Sequence, residues 1–180
     1  MKGIIFQKLE MFVEQTWSEE LWDELLLECN PKSGGAYTAN ALYDDNEFFQ
    51  LVTSLCEKQG LEMVAAQRAF GQWLFAELLK MTPHDISGYT TTFSFLEAVE
   101  NIVHVEVLKI HQDAVLPSFE FLEHSETHMK MVYRSPRQLC YFCEGLIEAL
   151  AKHLNENISV RQIECEHEGH ERCVLQLDRL

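Results

Sequence analysis

An α+β fold, with helices first and a small antiparallel sheet after them, is predicted by three features of the sequence. Apolar residues recur at helical spacing from residue 3 to about residue 111, the period falls to about two after Asp113, and one further helical stripe interrupts the strands that follow.

Ser18 and Glu20 ahead of Leu21, Trp22, Leu25 and Leu26 read as a capped amphipathic helix, which the run Asn30-Pro31-Lys32-Ser33-Gly34-Gly35 ends as a loop. Residues 44–58 and 61–81 give two more helices, separated by Gly60 and closed by Thr82-Pro83. Thr92 opens a helical segment over 93–111, with Phe93, Leu96, Val99, Val103, Val107 and Ile110 on its apolar stripe. Its valines are poor helix formers, so tertiary packing has to hold it. Residues 116–123 and 128–134 then read as paired strands around Ser125-Glu126. A helix over 138–154 carries Leu139, Cys143, Leu146, Ile147 and Leu150 on one stripe, and 158–166 with 172–178 make a hairpin turning at Glu168-Gly169-His170. The expected organisation is a single domain over 1–180, with a helical part over about 1–112 and an α+β part over about 113–180.

The chain has 14 Lys+Arg against 29 Asp+Glu, a net charge of −15, and 47% of its residues are hydrophobic. That apolar fraction supplies a full core. With no dense Lys/Arg stripe to contact phosphates, neither nucleic acid nor an anionic membrane is an expected partner. No apolar run approaches a membrane span, and Gln7, Lys8 and Glu10 interrupt any signal-peptide core, so a cytoplasmic protein is expected. Four of the six cysteines fall in the last 41 residues, which points to a local metal or redox site there.

Three groups of residues carry chemistry. Tyr133-Arg134-Ser135-Pro136-Arg137 leaves a strand and enters a helix; two hydroxyls and a guanidinium fork can converge there on paired carboxylates or a phosphate, or the segment is simply a strand end with a proline-opened helix. His104 sits among Ile102, Val103, Val105 and Val107, as a metal ligand or as a hydrogen-bonded core histidine. Cys140, Cys143, Cys165, His167, His170 and Cys173 offer three thiolates and an imidazole for structural zinc, or are separate buried or reducible thiols.

Met1-Lys2-Gly3-Ile4-Ile5-Phe6, a helical His104 and Tyr133-x-Ser135-x-Arg137 some 30 residues later together resemble the haem-nitric oxide/oxygen binding (H-NOX) domain over nearly the whole chain. The resemblance implies the H-NOX fold enclosing haem b, with His104 as proximal iron ligand and Tyr133, Ser135 and Arg137 on the propionates. It implies a pocket wall of Ile5, Leu74, Leu78, Pro117, Phe142 and Leu146. Oxygen-binding members carry a distal tyrosine five residues after the motif's arginine, where this chain has Phe142 beside Tyr141, so a nitric oxide sensor is implied. Some bacterial members also resemble the chain in a zinc site at Cys140, Cys165 and Cys173. Their histidine three residues before the middle cysteine is Gln162 here, a poor zinc ligand. His170 is the expected substitute, with Cys143 or His167 as alternatives.

The implied function is a sensor, not an enzyme: nitric oxide captured at ferrous haem releases His104, and the helix that loses its anchor shifts. A chain of 180 residues leaves no room for an output domain, so the expected partner acts in trans, as a histidine kinase or a cyclic-dinucleotide enzyme. The alternatives are a thiol/zinc redox switch on the C-terminal cysteines and an oxygen-binding haem protein. A peroxidase reading lacks support, because this sequence offers no distal His/Arg pair to polarise a peroxide.

Overall fold

A computed structural model describes residues 1–81, 86 and 88–180, so the expected break at Thr82-Pro83 lies outside the described residues. The chain divides into two compact units, Met1–Phe70 and Gly71–Leu180, with the boundary inside a helix.

The first unit holds α1 (Gly3–Thr16), α2 (Glu19–Cys29), α3 (Asp45–Gln59) and the start of α4 (Met63–Met81). Ser18 Oγ accepts the Leu21 N–H at 3.2 Å and Asp44 Oδ1 accepts the Asn46 N–H at 2.9 Å, so α2 and α3 begin at side-chain caps. Phe6, Leu9, Leu25, Leu51 and Leu55 are fully buried, and Phe6 stacks on Tyr37 with ring centroids 4.2 Å apart. The buried Glu47 carboxylate accepts from Ser33 N–H (3.2 Å), Ser33 Oγ (2.7 Å) and the Tyr37 hydroxyl (3.3 Å). It ties down the α2–α3 connection.

The second unit holds the rest of α4, then α5 (Thr92–Ala98), a π-helical turn (Val99–Val103) and α6 (His104–Ile110). β1 (Ser118–His124), β2 (His128–Arg134), α7 (Cys140–His153), β3 (Ile158–Glu164) and β4 (Cys173–Arg179) follow. The strands form an antiparallel sheet in the order β1-β2-β4-β3. Met129, Met131 and Tyr133 on β2 pair with Leu177, Leu175 and Cys173 on β4, and these six side chains enter one buried cluster with Ile147 and Leu150 of α7. Strand alternation thus builds the core face, and the α7 stripe covers it. No helix among the described residues is long and apolar enough to cross a membrane.

The α+β layout and its element order agree with expectation, and most ends shift by one or two residues. One internal difference matters. The segment expected as a single helix over 93–111 contains the π turn, so His104 donates its backbone N–H to Val99 O, five residues back. The valine-rich middle holds the ordinary helical ladder weakly, and an extra residue in the turn is a feature frequently found at functional sites.

Candidate functional site

The π turn places His104 at the start of α6 with its side chain only 15% exposed. Nδ1 lies 3.2 Å from Glu100 Oε2, one turn earlier, and the ring lies 5.6 Å from Phe119 on β1. Burial pushes the imidazole below its usual pKa against the opposing pull of the Glu100 carboxylate. A carboxylate acceptor at Nδ1 places the ring proton there and leaves Nε2 as the nitrogen with a lone pair to offer.

Phe119 faces Tyr133 in the β1–β2 register, and their rings lie 6.1 Å apart. Tyr133 is buried, and desolvation drives its phenol pKa upward, so it is a neutral donor. Beyond the strand, Ser135 Oγ accepts the Arg137 N–H at 3.2 Å and Gln138 N–H bonds back to Ser135 O at 3.1 Å. This tight turn, with Gln138 at φ 51, carries Arg137 back toward the α6–β1 connection, where Nη1 donates to Val115 O at 2.7 Å. Tyr133, Ser135 and Arg137 therefore gather at the end of β2 that pairs with the start of β1, and Phe119 beside them touches His104.

Among the expected wall residues, Leu74 is buried while Leu78, Pro117, Phe142 and Leu146 are half-buried. Gly71, Leu74 and Leu78 share a face of α4, and a Cβ built on Gly71 falls 2.2 Å from Phe142 O and 3.1 Å from Leu146 N. That close helix crossing brings the α4 stripe to the Phe142–Leu146 stretch of α7. Ile5 belongs to α1, in the other unit.

Cys140, Cys165 and Cys173, at the start of α7, after β3 and at the start of β4, are fully buried with ligand atoms all within 4.8 Å of one another. Cys140 Sγ and Cys165 Sγ are 3.8 Å apart, and both cysteines are free thiols. His170 and His167 are exposed, His167 Nε2 sits 2.7 Å from Gln138 O, and neither they nor Cys143 joins the three thiols. Gln162 lies on the same sheet face as Cys173, because it pairs with Leu175 two residues along β4. Its amide oxygen and nitrogen are both buried without a hydrogen-bond partner. Burial raises the Cys140 and Cys173 thiol pKa values and pushes Cys143 up to about 12, so these are protonated, weakly nucleophilic thiols. The Tyr141 hydroxyl lies 3.8 Å from Cys165 Sγ and its ring stacks on His167 at 5.8 Å. Tyr141 is thus committed to the thiol side of α7.

A family model described as haem-NO-binding matches residues 2–162. The chain belongs to the haem-NO-binding (H-NOX) family. The fold agrees: an H-NOX protein from Shewanella oneidensis in the Fe(II)NO state superposes with a TM-score of 0.92 at 28% identity, covering 100% of this chain and 99% of its own. The unliganded Fe(II) H-NOX protein from K. algicida gives 0.93 at 26% identity, covering 100% and 97%. The IWP-051-bound H-NOX from Shewanella woodyi gives 0.84 at 28%, covering 100% and 95%. H-NOX domains bind haem and serve as gas sensors, not as enzymes.

The donor set of this H-NOX chain fits that cofactor. His104 presents one imidazole nitrogen while the other is held, and a phenol, a hydroxyl and a guanidinium fork suit two carboxylates side by side. Sequence reasoning missed Glu100 and Phe119. The Glu-x-x-x-His spacing of residues 100–104 was a usable signal for the first. Nothing local announced Phe119, whose place depends on strand pairing.

Proposed function

We propose that residues 1–180 act as one haem-binding sensor domain for nitric oxide, with His104 as iron ligand and Tyr133, Ser135 and Arg137 on the propionates. The observation that carries this reading is the meeting of a desolvated His104, held through Nδ1, with the Tyr133–Arg137 turn at one end of β1 and β2. Haem supplies the iron that takes the gas. With haem bound, His104 would hold the iron through its imidazole, and loss of that bond would free α6 to move. Arg137 and the two hydroxyls keep the group in register while it does so. A signalling protein acting in trans, a histidine kinase or a cyclic-dinucleotide enzyme, reads the shift.

Phe142 supports nitric oxide over dioxygen, because bound dioxygen becomes polar and gains from a hydroxyl donor that phenylalanine lacks. The nearest other candidate, Tyr141, points its hydroxyl at Cys165. The Fe(II)NO state of the S. oneidensis relative agrees with this choice. The visible spectrum of reduced protein tests it: nitric oxide should detach His104, and air should give no persistent oxygen adduct. Phe142→Tyr should raise oxygen affinity by about 2- to 12-fold, the equivalent of one net hydrogen bond of about 0.5–1.5 kcal/mol. Tyr141→Phe should leave gas binding unchanged. An oxygen adduct in the unmodified protein that Tyr141→Phe abolishes would make the chain an oxygen binder instead.

The thiol cluster supports a second role in the same domain, as a structural zinc site of Cys140, Cys165 and Cys173 with His170 swinging in from the turn. Elemental analysis should find about one zinc per chain, lost on Cys165→Ser or Cys173→Ser. Zinc retained in His170→Ala would pass the fourth position to Cys143 or His167. Protein kept reduced throughout and still free of zinc would leave the thiol redox switch as the reading of this cluster.

A further inference from the structure

We infer that Glu100 is the positioning residue of the sensor, fixing the tautomer and orientation of His104 and tethering it to the edge of the sheet, so that it sets how firmly His104 holds iron. The inference rests on the reading of His104 as iron ligand.

One carboxylate oxygen does both jobs. Glu100 Oε2 lies 3.2 Å from His104 Nδ1 and accepts the Phe119 backbone N–H at 3.2 Å. β1 is an edge strand, and its outward N–H groups have no neighbouring strand to receive them. Glu100 satisfies the one that lies against the proximal histidine, so the carboxylate is held from the backbone side as well as from the ring side. The π turn contributes the geometry. Glu100 is its second residue and His104 is the residue that closes it, which places the two side chains one above the other on the strand-facing side.

The chemistry follows from the charge of the acceptor. A ligating imidazole whose other N–H donates to a carboxylate gains basicity and a fixed ring plane, and loss of such a partner typically weakens metal binding by about 10- to 100-fold. Glu100 is one-third exposed and its carboxylate lies 3.2 Å from the ring nitrogen, close enough to polarise the ring. A neutral amide in its place still receives the Phe119 N–H but polarises His104 less. A methyl group does neither.

Those differences define the test, made on the full chain with Glu100→Gln and Glu100→Ala. In reduced, haem-loaded protein the iron–histidine stretching frequency should fall in both variants, and release of His104 on adding nitric oxide should accelerate by about tenfold. In protein without haem, imidazole ¹⁵N shifts should show mainly Nδ1-protonated His104, with the other tautomer gaining population in Glu100→Ala. Amide exchange at Phe119 should quicken in Glu100→Ala and hold in Glu100→Gln. A stretching band that requires His104 yet is unmoved in both variants overturns this inference alone. A band that survives His104→Gly overturns the reading of His104 as ligand, and the inference with it.

Discussion

His104→Gly should yield protein that is purified largely without haem, and millimolar imidazole in the medium should restore it. Among the described residues His104 is the imidazole that the proposed pocket presents, and its Nδ1 lies 3.2 Å from Glu100, so removing the ring would remove the protein's bond to iron and leave Glu100 with the Phe119 N–H. The propionate donors Tyr133, Ser135 and Arg137 remain, and the apolar wall remains, so free imidazole should occupy the space of the lost ring. Glycine in a helix costs about 1 kcal/mol against alanine, which is too little to unfold the domain and explain haem loss by itself. Absorbance at the Soret band against protein concentration, with and without imidazole, gives the answer. Stoichiometric haem without imidazole would show that another residue ligates iron.

That prediction could be written from the sequence, because a histidine within a helical apolar stripe and Tyr-x-Ser-x-Arg at a strand exit are both local patterns. The α+β order was legible for the same reason: period, caps such as Ser18 and breakers such as Gly60 are local quantities, and α2, α3, α7 and the strands follow them closely. What was not legible depends on contacts between distant segments. The π turn at Val99–Val103 has the same apolar spacing as an ordinary helix, and its wider turn is recognised only by the Val99–His104 backbone bond. Phe119 meets Glu100 because β1 is an edge strand beside that turn, a matter of sheet order. The cysteines were recognisable as a set, yet only packing separates Cys140, Cys165 and Cys173 from Cys143, one helical turn away from Cys140.

The second large effect is expected at Gly71, which no motif singled out. Gly71→Ala should lower the melting temperature by about 4–8 °C and loosen the proposed pocket, and Gly71→Val should do worse. An added Cβ would sit 2.2 Å from Phe142 O, 3.1 Å from Leu146 N and 3.2 Å from Gly145 Cα. All three are backbone atoms of α7, so no side-chain rotation relieves the collision. α4 and α7 must separate instead. Overpacking of this kind costs about 1–3 kcal/mol, occasionally more, and the helix propensity gained by replacing glycine returns at most about 1 kcal/mol. A net loss of about 2 kcal/mol corresponds to that shift for a chain of this length, at about 2–4 °C per kcal/mol. The functional consequence follows from what the crossing holds together. Leu74 and Leu78 lie on the Gly71 face of α4, and Phe142 and Leu146 lie on the opposing stretch of α7, so spreading the helices widens the wall on which gas selectivity is proposed to depend. Haem dissociation should quicken in Gly71→Ala while the iron–histidine stretch, set by His104 and Glu100 on the π turn and α6 instead of on α4 or α7, stays where it was. An unchanged melting temperature would mean that α4 and α7 can part here at no cost, and that the crossing does not fix the pocket.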